Sequence, residues 1–215
     1  MSGAGTLPIV AMGASFVVID KPPGLLSVPG KGPHKQDCAA ARVRVMFPDS
    51  SGPLVVHRLD METSGLLVFG LSAAAQRDLS RQFERRETEK AYTALLDGCP
   101  ACDEGEVSLP LRPDIDHRPW QIVDHVHGRT ALTRYRVLSR EIDRARVRFE
   151  PVTGRAHQLR VHAATPADRG GLGCPIIGDV LYGTAGPRLM LHAAELSFKD
   201  PDTGRRVECR SEAPF

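Results

Sequence analysis

"RTALTRYRVL" (129–138) and "RARVRFEPV" (144–152) decide how the fold is read. In the second, Arg144, Arg146 and Arg148 alternate with Ala145, Val147 and Phe149; in the first, Arg134 and Arg136 alternate with Tyr135 and Val137. A period of two sends successive side chains to opposite faces of a strand. Each segment is therefore expected to be a strand with one apolar and one basic face. Working outward, "SFVVID" (15–20), the apolar run after Gly65, and "EKAYTALLDG" (89–98) read as strands. So do short stretches near Val107 and over 121–126, and the tail segments "LMLHAAELSF" (189–198) and "RRVECRS" (205–211). Helices are few. The segment 37–47 is expected to be one, capped by Asp37. Ser72 caps another over 72–87, where Ala75, Leu79 and Phe83 recur at four-residue spacing. "GRAHQLRVHAA" (154–164) is a third. Many strands, few helices and no regular β-α-β rhythm imply an α+β fold with a mainly antiparallel sheet. Without repeats, low-complexity tracts or long linkers, residues 1–215 are expected to form a single domain, its core at about 15–212.

Composition narrows the class. The 215 residues are 41% hydrophobic and 25% charged, ordinary for a globular chain with a full core. A formal net charge of +2 says nothing by itself about nucleic acid. The kind of base says more: of 28 basic residues only Lys21, Lys31, Lys35, Lys90 and Lys199 are lysines. Arginine suits planar, bidentate phosphate contacts, although an arginine-rich codon preference gives the same count. Five scattered cysteines do not form a secreted disulfide framework. No stretch approaches the roughly 18 apolar residues that span a bilayer, and the N-terminus lacks a signal-peptide pattern. A cytoplasmic protein with no membrane partner is the expectation.

From 129 to 160 there are nine Arg against Glu141, Asp143 and Glu150, a local balance of +6. A solvent-facing hairpin explains the alternation but not why nearly every outward residue is positive. A basic sheet face is a nucleic-acid footprint, with Arg134 and Arg146 as candidate contacts. Arg77, Arg81 and Arg85 share another helical face, which reads equally as a solvated face tempered by Asp78 and Glu84.

Several chemistries are poorly supported. "CPAC" (99–102) has no second ligand pair to complete a zinc site and no helix start to activate a redox thiolate. His157 and His162, five apart on a helix, face different ways, whereas His157 and Arg160 share a face. Asp60 and Glu62 lie about 7 Å apart at the backbone if extended, which does not make a convincing glycosidase pair. GxSxG, GxGxxG and GxxxxGK[ST] are all absent. What remains is "VHRLDMETSGLLVFG" (56–70), which places His57, Arg58, Asp60, Glu62, Thr63 and Ser64 ahead of a buried strand. An Asp–Arg salt bridge holding a turn and a functional carboxylate both fit these residues.

At these residues the chain resembles the pseudouridine synthases of the RluA type. The family signature HRLDxxTSG stands as "HRLDMETSG" (57–65), KxYxA as "KAYTA" (90–94), GRxHQLRxH as "GRAHQLRVH" (154–162) and GDxLYG as "GDVLYG" (178–183). "DKPPGLLSVPG" (20–30) fits as well, so the match runs in order along nearly the whole chain. The resemblance implies an α+β pseudouridine synthase fold with a cleft across its sheet, and no N-terminal S4-type RNA-binding module. It implies an isomerase that flips a uridine out of RNA and uses no cofactor and no metal. Asp60 is then the essential carboxylate, Tyr92 the tyrosine stacked on the uracil, and Arg160 the cation paired with Asp60. Arg58 fills the gap left by the flipped base. His57, Arg155 and His157, with Arg134 and Arg146, complete the expected RNA-binding set. "GLLSVPG" resembles the dual-specificity subgroup, which implies tRNA, 23S rRNA or both as partner, and a monomer. A non-catalytic RNA-binding module and a glycosidase-like hydrolase are the competing readings. The link "AATPADRGGLGCPIIGD" (163–179) departs from the family, being longer and carrying Cys174 where His is common.

Overall fold

A computed structural model describes residues 6–215. The elements run β1 (Ile9–Met12), β2 (Phe16–Lys21), α1 (Ala39–Met46), β3 (Ser64–Gly70), α2 (Ala73–Glu84), β4 (Glu89–Asp97), β5 (Glu104–Ser108), β6 (Leu111–Pro113), β7 (Gln121–Val123), β8 (Leu132–Arg140), β9 (Arg144–Pro151), α3 (Gln158–Ala164), β10 (Leu191–Lys199) and β11 (Arg206–Arg210). The fold is α+β with a mainly antiparallel sheet, as the alternation implied. The chain divides into two compact units. The first runs to Lys90 and resumes over Ala193–Pro214; the second is Ala91–His192 with Phe215.

In the first unit the strand order is β1-β2-β3-β10, with β11 paired to β10. β2 and β3 are antiparallel, Val18 opposite Val68 and Lys21 opposite Gly65. Every residue of β3 is buried, which is why it reads as a continuous apolar run rather than an alternation. Phe16, Val18, Leu66, Val68, Leu79 and Phe198 share one core, in which the Phe16 and Phe198 rings meet edge to face at 5.1 Å. Helix α2 begins at the expected cap, Ser72, whose side chain accepts from the Ala75 amide. Helix α1 is capped by Cys38, not by Asp37. Both oxygens of Asp37 are taken by Arg42, at 2.8 and 2.7 Å, so the thiol receives the Ala41 amide instead. The edge strand β1 has no counterpart among the expected strands. Ile9, Val10 and Met12 are exposed, so it carries no core-facing stripe to read.

In the second unit the order is β4-β9-β8-β5, and β6 and β7 form a separate antiparallel ribbon. β9 buries Ala145, Val147 and Phe149 and turns its arginines outward, as its alternation requires. Those residues join Ala94, Leu96, Leu159, Ile176 and Leu191 in one core, against which Tyr92 packs. β6 escaped the sequence reading because three residues show no period.

Candidate active site

Asp60 lies in the first unit, on the loop that feeds β3. It is half-buried and closes a turn, its carbonyl accepting from the Thr63 amide at 3.1 Å. The stretch 60–62 is thus turned rather than extended, which removes the geometry in which Asp60 and Glu62 would face the same way. Both flanks of Asp60 are pinned. Ser27 Oγ donates to the Leu59 carbonyl at 2.7 Å and accepts from the Leu59 amide at 3.0 Å. Lys21, fully buried, donates from Nζ to the carbonyls of Pro22, Leu25 and Met61 at 2.9, 2.8 and 2.9 Å. Such bonds compensate the cost of burying an ammonium. "DKPPGLLS" therefore acts as a clamp on "RLDM". The sequence could not display this, because the partners lie 32 and 40 residues apart. Gly65 follows with φ +112°, and a Cβ there would come within 2.4 Å of the Ala193 carbonyl oxygen. The glycine of "TSG" is thus required by both conformation and close approach.

His57 and Arg58 precede this turn and part company. Arg58 is exposed. The His57 ring stacks on Phe83, centroids 4.3 Å apart, and its Nε2 accepts from the Val68 amide at 3.2 Å. Burial, helped by the nearby Lys90 ammonium, pushes its pKa down to about 3. His57 is therefore neutral and ties the loop to β3.

Arg160, Tyr92, Arg155, His157, Arg134 and Arg146 belong to the second unit. Arg160 lies in α3 and is buried. Its Nε and Nη2 meet Asp179 Oδ2 and Oδ1 at 2.8 and 2.6 Å, a bidentate pair. Burial alone would raise the Asp179 pKa. The Arg160 guanidinium and the amides of Leu181 and Tyr182 outweigh it, holding the carboxyl below the usual range. Gly178, at φ +80°, lets the Arg188 carbonyl come so close that any Cβ would collide with it. The Arg160 guanidinium also lies 5.2 Å from the Tyr182 ring. Asp179 and Tyr182 were missed as site residues. Their motif, "GDVLYG", was visible, but nothing local says which arginine the Asp would hold.

The start of α3 is equally fixed. It begins at Gln158, not at Gly154, because His157 adopts a left-handed conformation at φ 51°. Gln158 saturates its amide, taking the Thr153 hydroxyl and Arg155 amide on Oε1 and donating from Nε2 to the Leu132 carbonyl and Thr133 Oγ1. Arg155 donates from Nε to the Thr130 carbonyl. His157 Nδ1 is 2.8 Å from Tyr182 Oη. His157 and Arg160 do approach the same object, the Tyr182 ring. The atypical link after α3 folds back on it, with the amides of Leu172, Gly173 and Cys174 donating to the carbonyls of His162, Thr165 and Ala163.

The basic face of β8 and β9 is less positive than its own sequence suggests. Arg134 pairs with Glu106 at 2.8 Å, Arg136 with Glu104 at 3.4 Å, and Arg140 with Asp103 at 2.7 Å. Arg148 pairs with Glu150. Three of those carboxylates come from the β5 region, outside the stretch over which charge was counted. Arg146 has its guanidinium 5.8 Å from the Phe215 ring. Cys99, the first thiol of "CPAC", donates to the Arg144 carbonyl at 3.3 Å.

Known proteins share this arrangement of chain. The RNA pseudouridylate synthase family profile matches residues 15–165. The dual-specificity RNA pseudouridine synthase RluA of Yersinia pestis is 43% identical over 206 residues, covering 93% of this chain and 96% of that one. The Haemophilus influenzae protein of the same name is 43% identical over 215 residues, covering 97% and 94%. Among solved structures, human RNA pseudouridylate synthase domain containing 1 superposes with a TM-score of 0.79 at 28% identity, covering 100% of this chain and 86% of that one. The chain belongs to the RNA pseudouridylate synthase family, isomerases that act on RNA.

Proposed function

We propose that this RNA pseudouridine synthase uses Asp60 as its essential carboxylate, with Tyr92 on the uracil and Arg160 as the cation that keeps the acid ionised. The reaction breaks the bond from ribose C1′ to N1, turns the uracil, and joins C1′ to C5. N1 gains a proton and C5 loses one, so the product is an isomer and no cofactor is consumed. Asp60 attacks covalently or takes the C2′ proton; either role demands the ionised form. A nearby cation lowers a carboxylate pKa by about 1–3 units. Arg58, exposed just before Asp60, fills the stack when the base leaves. Flipping costs a few kcal/mol, which phosphate contacts from Arg134, Arg146, Arg155 and His157 offset. His57 supports that set from the neutral, packed position described above.

The observation that carries this reading is the turn at Asp60, held on one flank by Ser27 and on the other by Lys21. A reacting carboxylate needs such fixed placement. The chain acts as one catalytic domain and a monomer in the cytoplasm, on compact stem-loops whose unpaired bases are cheap to flip. The similarity of "GLLSVPG" to the dual-specificity subgroup favours a tRNA anticodon stem-loop and a 23S rRNA loop.

The test is pseudouridine mapping on both RNA fragments with wild-type protein and Asp60→Asn. Wild type converts uridine; Asp60→Asn does not, yet binds RNA within about tenfold, because phosphate contacts carry affinity. Turnover by Asp60→Asn at the wild-type rate overturns the assignment of Asp60. Conversion of a different uridine overturns only the substrate, and release of free uracil marks a hydrolase.

A further inference from the structure

Tyr182 sits where two expected site residues, His157 and Arg160, meet. Its hydroxyl lies 2.7 Å from the Gln121 amide, which donates to it, and 2.8 Å from His157 Nδ1. Its ring meets Trp120 edge to face at 5.1 Å and His157 at 5.7 Å, and carries the Arg160 guanidinium at 5.2 Å. Its own amide, with that of Leu181, donates to Asp179 Oδ1, the oxygen that also receives Arg160 Nη2. A tyrosine needed only for packing would not need its hydroxyl. Here the hydroxyl, with one proton and two lone pairs, joins the β7 backbone to His157, the residue that starts α3 in the left-handed region. That region is sparsely populated by residues other than glycine and persists only when neighbours hold it.

We propose that Tyr182 is a positioning residue for the reaction, setting the start of α3 through His157 and the orientation of Arg160 through its ring and the shared Asp179. This rests on the reading of Arg160 as the cation serving Asp60. Asp179 fixes one edge of the guanidinium, and an aromatic face restricts rotation out of the plane so defined. Tyr182 touches no reacting atom in this scheme. Its loss therefore acts on kcat through Arg160; of the phosphate contacts only that of His157 is touched, so RNA affinity falls little.

The experiment is single-turnover and steady-state kinetics on a stem-loop RNA with Arg160→Met, Tyr182→Phe and the double variant, at a temperature where circular dichroism finds all three folded. Tyr182→Phe keeps the ring and removes the hydroxyl contacts to Gln121 and His157. Its kcat should fall about 10- to 100-fold with KM nearly constant, the range small misplacements cost. The double variant should be no slower than Arg160→Met, because residues acting as a unit are not additive. If Tyr182→Phe does not fold, Tyr182→His, which keeps a ring and a polar edge, goes through the same cycle. Unchanged kcat, a change in KM alone, or multiplicative losses in the double variant overturn the proposal. Wild-type kcat from Arg160→Met instead removes the reading of Arg160 and this inference with it. A slow Arg160→Met beside a normal Tyr182→Phe removes this inference only.

Discussion

Replacing Lys21 by Met would leave the carbonyls of Pro22, Leu25 and Met61 without their buried donor. A loss of about 3 kcal/mol follows from the cost of buried unsatisfied groups, read as a lower urea midpoint. Turnover should fall further than stability explains, because Met61 adjoins Asp60. Gly65→Ala is a sharper case, since its Cβ meets the Ala193 backbone at positive φ. It should cost several kcal/mol, on the order of 4, and yield little folded protein. His57 and His162 set an acid limit. Burial lowers their pKa values to about 3 and about 4, below an unfolded value of about 6.5. The unfolded state then binds more protons as pH falls through 6.5, so folded stability drops toward pH 4 and, for His57, toward pH 3. Each contributes at most about 1.4 kcal/mol per pH unit. His57→Gln, whose amide oxygen can still accept from Val68, should lose its share of that slope in urea titrations at pH 6.5 and 4.5.

At the scale of elements, β8 and β9 present a charge-matched face rather than a bare cationic one. Exposed pairs such as Arg134 with Glu106 stabilise by about 0–1 kcal/mol, so their removal should barely move the melting temperature. RNA affinity discriminates better. Arg146→Ala should weaken binding and flatten its salt dependence more than Arg134→Ala, whose charge Glu106 already balances. Filter binding across a salt series checks this, and equal slopes for the two variants would return Arg134 to the footprint at full weight. The alternation in β9 decided its inward and outward faces correctly, because side-chain period is a local property of a strand. The acidic partners from β5 are a property of pairing, with Glu104 opposite Arg136 and Glu106 opposite Arg134. A count confined to 129–160 could not include them.

For the whole molecule, two consequences bear on the reaction. No helix among the described residues is long and apolar enough to cross a membrane. Activity should survive exhaustive EDTA treatment, since the isomerisation balances without a metal; loss of turnover restored by zinc would reopen a role for Cys99 and Cys102. The sequence by itself determined the α+β class, the strands β2, β3, β4, β5, β7, β8, β9, β10 and β11, the Ser72 cap, and through its motifs the family, with Asp60 as the candidate carboxylate. These are matters of local period, local capping and linear pattern. Tertiary structure alone decided that Lys21 and Ser27 clamp the flanks of Asp60, that His57 is neutral and packed on Phe83, and that Arg160 is held by Asp179 beside Tyr182. In each case the partner lies far along the chain, and the deciding quantities, burial and the matching of donors to acceptors, exist only once the chain has folded.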